Sequence, residues 1–270
     1  MKKIINNFDI RQIADSGQCF RWKKIDIEGY EKSYIVPAFD KVLYIYQNGN
    51  EIELSCSEEE WNNIWYFYFD CSRDYEALGI TILNSNDHHL IEAYNFGKGI
   101  RILKQELFET IFSFIISQNN NIKRISKSIE LICLKCGKLI DKNNNEYSFP
   151  KIEDIPLNIF DDTSLGLGYR ADYLKEFCKF VLNNPNWLNS LKDMSYEKAF
   201  DNLISIKGIG KKVAECVCLF GLGFVHAFPI DTHIKSILNN YYPKGIDLKA
   251  YKNEAGIIQQ YLFYFDLKKS

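Results

Sequence analysis

The sequence predicts an α+β protein in which an N-terminal antiparallel sheet packs on a larger, mainly helical domain, and three observations predict it. Residues 33–39, 42–47 and 51–56 are rich in β-branched and aromatic side chains, and Asn48-Gly49 supplies a hairpin turn between the last two. A polar break at residues 84–89 marks where strand-like segments give way to helices, which divides the chain into domains 1–86 and 87–270. In the second domain, Ala199, Phe200, Leu203 and Ile204 recur at helical spacing, as do Val213, Val217 and Phe220, with Gly208 and Gly210 between them. Two helices are therefore joined by a glycine hairpin.

Taken in order, the N-terminus carries charge but no long apolar run, and no later segment is long and apolar enough to span a bilayer. A soluble, intracellular protein is expected, nuclear in a eukaryote and cytoplasmic or nucleoid-associated otherwise. Ser57-Glu58-Glu59-Glu60 is a capping-box pattern that opens a helical turn into the aromatic run 61–69. Eight cysteines lie scattered without the density of a secreted disulfide scaffold, so free thiols are expected. Cys133 and Cys136 have a metal half-site spacing, but they sit in a helical pattern with no second pair to complete zinc ligation, and are read as core.

The hairpin carries the most chemistry. A turn this tight needs positive φ or close backbone approach, and it leaves the first amides of the following helix unpaired, which suits a phosphate. Pro229 keeps the chain extended, and Asp231 stands where an acceptor caps a helix beginning at Thr232. Lys212 lies one turn before Cys216 beside the Val213/Val217 stripe, so its amine can sit in a partly dry cleft and act as a nucleophile toward an electrophilic carbon. Alone, such a lysine is better read as solvated or holding a phosphate, and Asp231 alone as a simple cap. With 270 residues, 46% of them hydrophobic, the chain can bury a sizeable core. A net charge of −2 argues against a uniformly basic surface but not against a local strip built from Lys123, Arg124, Arg170, Lys207, Lys211 and Lys212. Aromatic content of 15% fits base stacking and an aromatic core alike.

Gly208-Ile209-Gly210, Lys212 and Ile230-Asp231-Thr232-His233 together resemble the signature of the helix-hairpin-helix DNA glycosylase superfamily. The resemblance implies that Gly208, Gly210, Lys211 and His233 meet DNA backbone, that Lys212 attacks the sugar, and that Asp231 assists. Lys207 stands where the family often has proline. Ser16-Gly17-Gln18-Cys19-Phe20-Arg21-Trp22 is similar to an element of the 8-oxoguanine DNA glycosylases, and further matching stretches follow in the family's order at 97–105, 112–115, 119–122, 165–170, 259–263 and 266–267.

That resemblance implies a lesion pocket with Cys216 and Phe263 on its faces, Gln259 on the Watson–Crick edge and the Gly17 carbonyl at N7. It implies that Asn119, Arg124 and Arg170 read the orphaned cytosine while Tyr169 wedges the stack. The alternative for both arginines is phosphate contact. Expected activities are excision of 8-oxoguanine from duplex DNA, preferably opposite cytosine, and weaker β-elimination at the abasic site. The four-cysteine loop of some superfamily members is missing, so no iron–sulfur cluster is expected. The resemblance leaves room for a monovalent or calcium ion on the hairpin carbonyls of Ile204, Ile206 and Ile209. The expected partner is double-stranded DNA carrying 8-oxoguanine, bound by a monomer without a membrane. Two rivals stay open: a pyrimidine-damage or alkylated-base glycosylase of the same superfamily, and a non-catalytic DNA-binding module.

Overall fold

The computed structural model describes residues 1–251 and 253–269 and has the α+β architecture. Five strands, β1 (Lys2–Ile4), β2 (Lys23–Ile25), β3 (Lys32–Ala38), β4 (Lys41–Asn48) and β5 (Glu51–Leu54), form an antiparallel sheet in the order β1-β5-β4-β3-β2. The β4–β5 connection is the expected hairpin, with Gly49 at φ 55°. The β3–β4 connection is a second two-residue turn, in which Phe39 and Asp40 both take the left-handed conformation, at φ 53° and 56°. Sequence reading passes over it because Phe-Asp is not a favoured pair for such a turn. It also passes over β1 and β2, which are three residues each and lysine-rich, and helix α1 (Ile10–Asp15), capped by Asp9 Oδ1 accepting from the Arg11 and Gln12 amides.

One face of the sheet buries Tyr34, Val36, Leu43, Ile45, Ile52 and Leu54 against Phe8, Trp61, Trp65 and Phe69. Those tryptophans arrive on the anticipated helical turn. Ser57 Oγ accepts from the Glu60 amide at 3.1 Å and opens α2 (Glu58–Glu60), which widens into a π-turn over Trp61–Trp65 before α3 (Tyr66–Tyr68). The wider turn brings Trp61, Trp65 and Phe69 onto the sheet together, with Trp65 fully buried.

The second core gathers the helices: α4 (Tyr75–Leu83), α5 (His88–Gly97), α6 (Leu107–Ser117), α7 (Ile122–Cys136), then α8 (Arg170–Asn183), α9 (Trp187–Lys192), α10 (Tyr196–Ile204), α11 (Lys211–Phe220), α12 (Thr232–Tyr241) and α13 (Ala255–Lys269). A small ribbon of β6 (Leu139–Asp141) and β7 (Glu146–Tyr147) follows α7. Helix α4 buries Tyr75, Leu78 and Ile82 in this core, so apolar packing divides near residue 70. The polar break at 84–89 is the turn between α4 and α5, where Asp87 caps α5 through the Leu90 amide.

The two cores are laced together by residues 99–105, a buried segment without regular structure. Its backbone bonds run to both sides: Asp9 N donates to Gly99 O, Lys104 N to Tyr68 O and Gln105 N to Phe220 O, at 2.9 to 3.0 Å. Arg21 adds a buried ion pair to Glu109 on α6 at 3.0 Å, and burial pushes the Glu109 carboxyl up while Arg21 opposes that shift. All eight cysteines are free, and no helix among the described residues is long and apolar enough to cross a membrane.

Candidate active site

Between the hairpin, α6, the start of α7 and α13 lies a cleft of about 930 Å³, lined by Gly17, Phe114, Asn119, Gly210, Lys212, Asp231, His233 and Phe263 among others. Stretches far apart in sequence meet there.

Lys212 is the second residue of α11, half-buried, with its amine 5.1 Å from the centre of the Phe114 ring. An amine over a ring face is held by the ring's quadrupole and partly shed of water. Phe114 had no assigned part in the sequence reading, since a phenylalanine within an apolar helical run carries no sign of what lies above it. Asp231 caps α12 as expected, Oδ1 accepting from the Ile234 amide at 2.9 Å, and also lines the cleft.

Of the four residues expected around a base, two stand on the cleft surface. Gly17 takes φ +74°, and a Cβ built on it would lie 3.0 Å from Phe263 Cε1, so ring and backbone are in contact. The Phe263 ring also meets His233 edge-on at 5.5 Å, and His233 Nδ1 lies 2.8 Å from Asp266 Oδ2. Cys216 and Gln259, each 3% exposed, lie behind the surface and not on it. Cys216 is one turn deeper on α11 than Lys212; burial pushes its thiol up, and the Lys212 amine opposes this. Gln259 donates to the Pro229 carbonyl at 3.1 Å and accepts from Gln260 at 2.9 Å, which turns its amide toward the loop before Asp231.

The residues expected at an orphaned base separate in the same way. Asn119 is exposed at the cleft edge in a left-handed conformation, φ 47°, which asparagine tolerates better than most residues. Arg124 is exposed on the first turn of α7, whose cap is Asn121 Oδ1 accepting from the Arg124 amide at 3.0 Å. Tyr169 is 51% exposed, its hydroxyl donating to the Gln118 carbonyl at 3.2 Å.

Arg170 differs from the sequence expectation. It is 5% exposed, with Nε 2.8 Å from the Gln118 carbonyl, Nη2 2.7 Å from that of Asn119 and Nη1 3.2 Å from that of Leu167. The left-handed turn after α6 leaves carbonyls with no helical partner, and a buried guanidinium satisfies several at once. In this structure Arg170 supports the loop that presents Asn119. Gln118, overlooked in the sequence, is the hub: its Nε2 also donates to the Gly208 carbonyl at 2.9 Å, joining that loop to the hairpin.

The two hairpin glycines turn out to be needed for different reasons. Gly208 has φ +93°, and a Cβ there would stand 2.5 Å from Tyr173 Cγ. Gly210 has an ordinary extended backbone, φ −87° and ψ 175°, and no atom lies within 4 Å of where its Cβ would be. It leaves the N-terminus of α11 open to a close approach from outside, beside the exposed Lys211. The carbonyls of Ile204, Ile206 and Ile209 offer hard oxygen donors of the kind monovalent cations and calcium take, though Ile206 already accepts from the Ile209 amide at 3.0 Å.

Comparison with known proteins finds matches along the length of the chain. Residues 1–111 match the model of the 8-oxoguanine DNA glycosylase N-terminal domain, and residues 112–254 that of the HhH-GPD superfamily base excision DNA repair proteins. A Saccharomyces cerevisiae N-glycosylase/DNA lyase is 38% identical over 159 residues, covering 54% of this chain and 42% of the yeast protein. An Arabidopsis thaliana N-glycosylase/DNA lyase is 28% identical over 240 residues, 84% of this chain and 64% of that one. The chain thus spans less than two thirds of the length of either relative. Among solved structures, the Clostridium acetobutylicum 8-oxoguanine glycosylase/lyase bound to double-stranded DNA with cytosine opposite 8-oxoguanine superposes with a TM-score of 0.88 at 32% identity, covering 100% of this chain and 98% of that one. A 3-methyladenine DNA glycosylase from Archaeoglobus fulgidus shares the fold, with a TM-score of 0.71 at 20% identity over 100% of this chain and 99% of that one.

Proposed function

The chain belongs to the HhH-GPD superfamily of base excision DNA repair proteins and opens with the N-terminal domain of the 8-oxoguanine DNA glycosylases, and from that premise we propose that it excises 8-oxoguanine from duplex DNA and cleaves the abasic site by β-elimination. The observation that carries the reading is that Lys212, Asp231, Gly17 and Phe263 all line one cleft. A non-catalytic DNA-binding module has no use for a lysine amine over an aromatic ring in a cleft that an aspartate also lines.

The chemistry follows from these groups. The target nucleotide leaves the stack, at a cost of a few kcal/mol that Tyr169 and the Asn119 loop offset by filling the gap. The neutral Lys212 amine attacks the anomeric carbon as the glycosidic bond breaks, and the base departs with the bonding pair and a proton. Asp231, already held by its cap, stabilises the positive charge that develops on the sugar. The C1′–O4′ bond then breaks, the ring oxygen taking up the second amine proton, to give an open-chain Schiff base, which acidifies the neighbouring sugar proton; its removal expels the 3′ phosphate, and water then releases Lys212. The Gly17 carbonyl distinguishes the lesion, because 8-oxoguanine carries a hydrogen at N7 where guanine presents a lone pair. Arg124 favours cytosine as the opposite base. An ion on the Ile204, Ile206 and Ile209 carbonyls would add positive charge where the hairpin receives a phosphate. The protein acts as a monomer on this duplex.

The test is base release from duplexes with one defined lesion each. Release of 8-oxoguanine opposite cytosine, with a borohydride-trapped protein–DNA adduct, is expected; release of alkylated purines or oxidised pyrimidines instead would place the chain with the other enzymes of the superfamily. Lys212→Gln keeps length and hydrogen bonding but cannot form the adduct. It should bind lesion DNA while excision and trapping both vanish, and an adduct that persists would make another amine the nucleophile.

A further inference from the structure

Gln18 is 1% exposed and uses its whole amide. Nε2 donates to Ser16 Oγ at 2.8 Å and to the Arg101 carbonyl at 2.8 Å, while Oε1 accepts from the Leu103 amide at 2.7 Å. Its backbone carbonyl accepts from Gln105 Nε2 at 2.7 Å. Residues 100–103 are buried and belong to no sheet, so their backbone groups must find partners other than a neighbouring strand. The Gln18 side chain offers them the donor and acceptor that a strand's peptide group would present.

The other bond matters more for the site. Ser16 is fully buried and anchored, its hydroxyl donating to the Ile13 carbonyl at 2.8 Å. The bond from Gln18 to Ser16 therefore closes a ring around Gly17, tying together the residues on either side of it. Gly17 has φ +74°, where a glycine is free to rotate and no side chain restrains it. The direction of its carbonyl is fixed by the two flanking peptide planes, and both planes are pinned by this ring and by its attachment to residues 101–105.

We infer that Gln18 is the positioning residue that aims the Gly17 carbonyl into the lesion pocket, so that discrimination between 8-oxoguanine and guanine depends on a buried amide that touches neither base. The assignment rests on the 8-oxoguanine reading above. It predicts a loss of selectivity distinct from a loss of folding, because the hydrogen bond at N7 is made to the lesion alone.

The experiment measures affinity for two duplexes, one with 8-oxoguanine and one with guanine opposite cytosine, in a Lys212→Gln background where no excision intervenes. Into it are placed Gln18→Leu, which removes all three side-chain bonds, and Ser16→Ala, which opens only the ring around Gly17. Melting temperatures are read in parallel. With either change the ratio of the two affinities should fall about tenfold, the worth of one ordinary hydrogen bond, while guanine-duplex affinity stays within about twofold. Gln18→Glu, which keeps the acceptor for Leu103 but loses donors when ionised, should fall between wild type and Gln18→Leu. An unchanged ratio with a lowered melting temperature would make Gln18 a structural residue only and overturn the assignment. Ser16→Ala carries the test by itself if Gln18→Leu does not fold. A parent protein with no preference for the lesion duplex would instead overturn the 8-oxoguanine reading, and this assignment with it.

Discussion

At Gly17 a methyl group would stand 3.0 Å from Phe263 Cε1 on a backbone at φ +74°, so Gly17→Ala meets both conformational strain and a crowded ring. It should lose 8-oxoguanine excision by a larger factor than binding to abasic-site DNA, where no base enters; equal losses in the two assays would remove Gly17 from the pocket. Asp231 allows a cleaner separation of stability from chemistry. Asparagine caps a helix about as well as aspartate, so Asp231→Asn should leave the melting temperature nearly unchanged. Loss of the negative charge should nonetheless slow excision by about 10²-fold or more. A fall in rate matched by a fall in stability would make Asp231 a cap and nothing else. At this scale the sequence was informative where a residue's chemistry is rare, as for a lysine beside a buried stripe. It was silent about partners such as Phe114 and Gln118, whose roles depend on what the fold brings above them.

The hairpin between α10 and α11 joins two glycines that should respond differently. Gly208→Ala forces a Cβ to 2.5 Å from the Tyr173 ring at φ +93°, and should destabilise the protein by about 1–3 kcal/mol. Gly210→Ala meets no atom within 4 Å and should melt like the parent, but bind DNA more weakly because it narrows the approach to the helix N-terminus. Thermal unfolding and DNA titration of both variants separate turn geometry from contact surface; equal melting of the two would refute the division. The loop between α6 and α7 offers a similar contrast. Arg124→Ala should narrow the gap between lesions opposite cytosine and opposite adenine, whereas Arg170→Ala, by freeing the Gln118 and Asn119 carbonyls, should weaken binding to both duplexes together. Retention of full cytosine preference by Arg124→Ala would rule out base reading there. Sequence periodicity located β3, β4, β5 and the helices flanking the hairpin because each repeats a pattern over several residues. It could not locate three-residue edge strands or the Phe39-Asp40 turn, which tertiary pairing imposes on residues with no such preference of their own.

Across the molecule, α5, α12 and α13 meet at His89, whose ring stacks on Tyr241 at 3.7 Å and lies edge-on to Tyr242 and Phe265. Burial lowers its pKa from the usual value of 6.5; Asp87, Glu92 and Asp266 oppose this and Lys269 adds to it. A base whose folded pKa is depressed binds fewer protons in the folded state than in the unfolded one. Its full contribution to stability is therefore present above about pH 6.5 and is lost as pH falls toward the folded value. The melting temperature should drop on acidification through that window, and His89→Phe should flatten the slope; an unchanged slope would assign the acid sensitivity to other groups. The change from strand-like to helical periodicity was legible in the sequence, but the lacing of the two cores by residues 99–105 was not, since that segment follows neither period. Finally, the cleft has walls from both ends of the chain, and Lys268 meets Asp15 at 2.8 Å across 253 residues. A ribosome making about 5–20 residues per second takes roughly 10 to 50 s to travel from one wall to the other. Throughout that interval a nascent chain can display Gly17 with no Phe263 against it, so the cleft stays incomplete in each new molecule until α13 has been made and has docked.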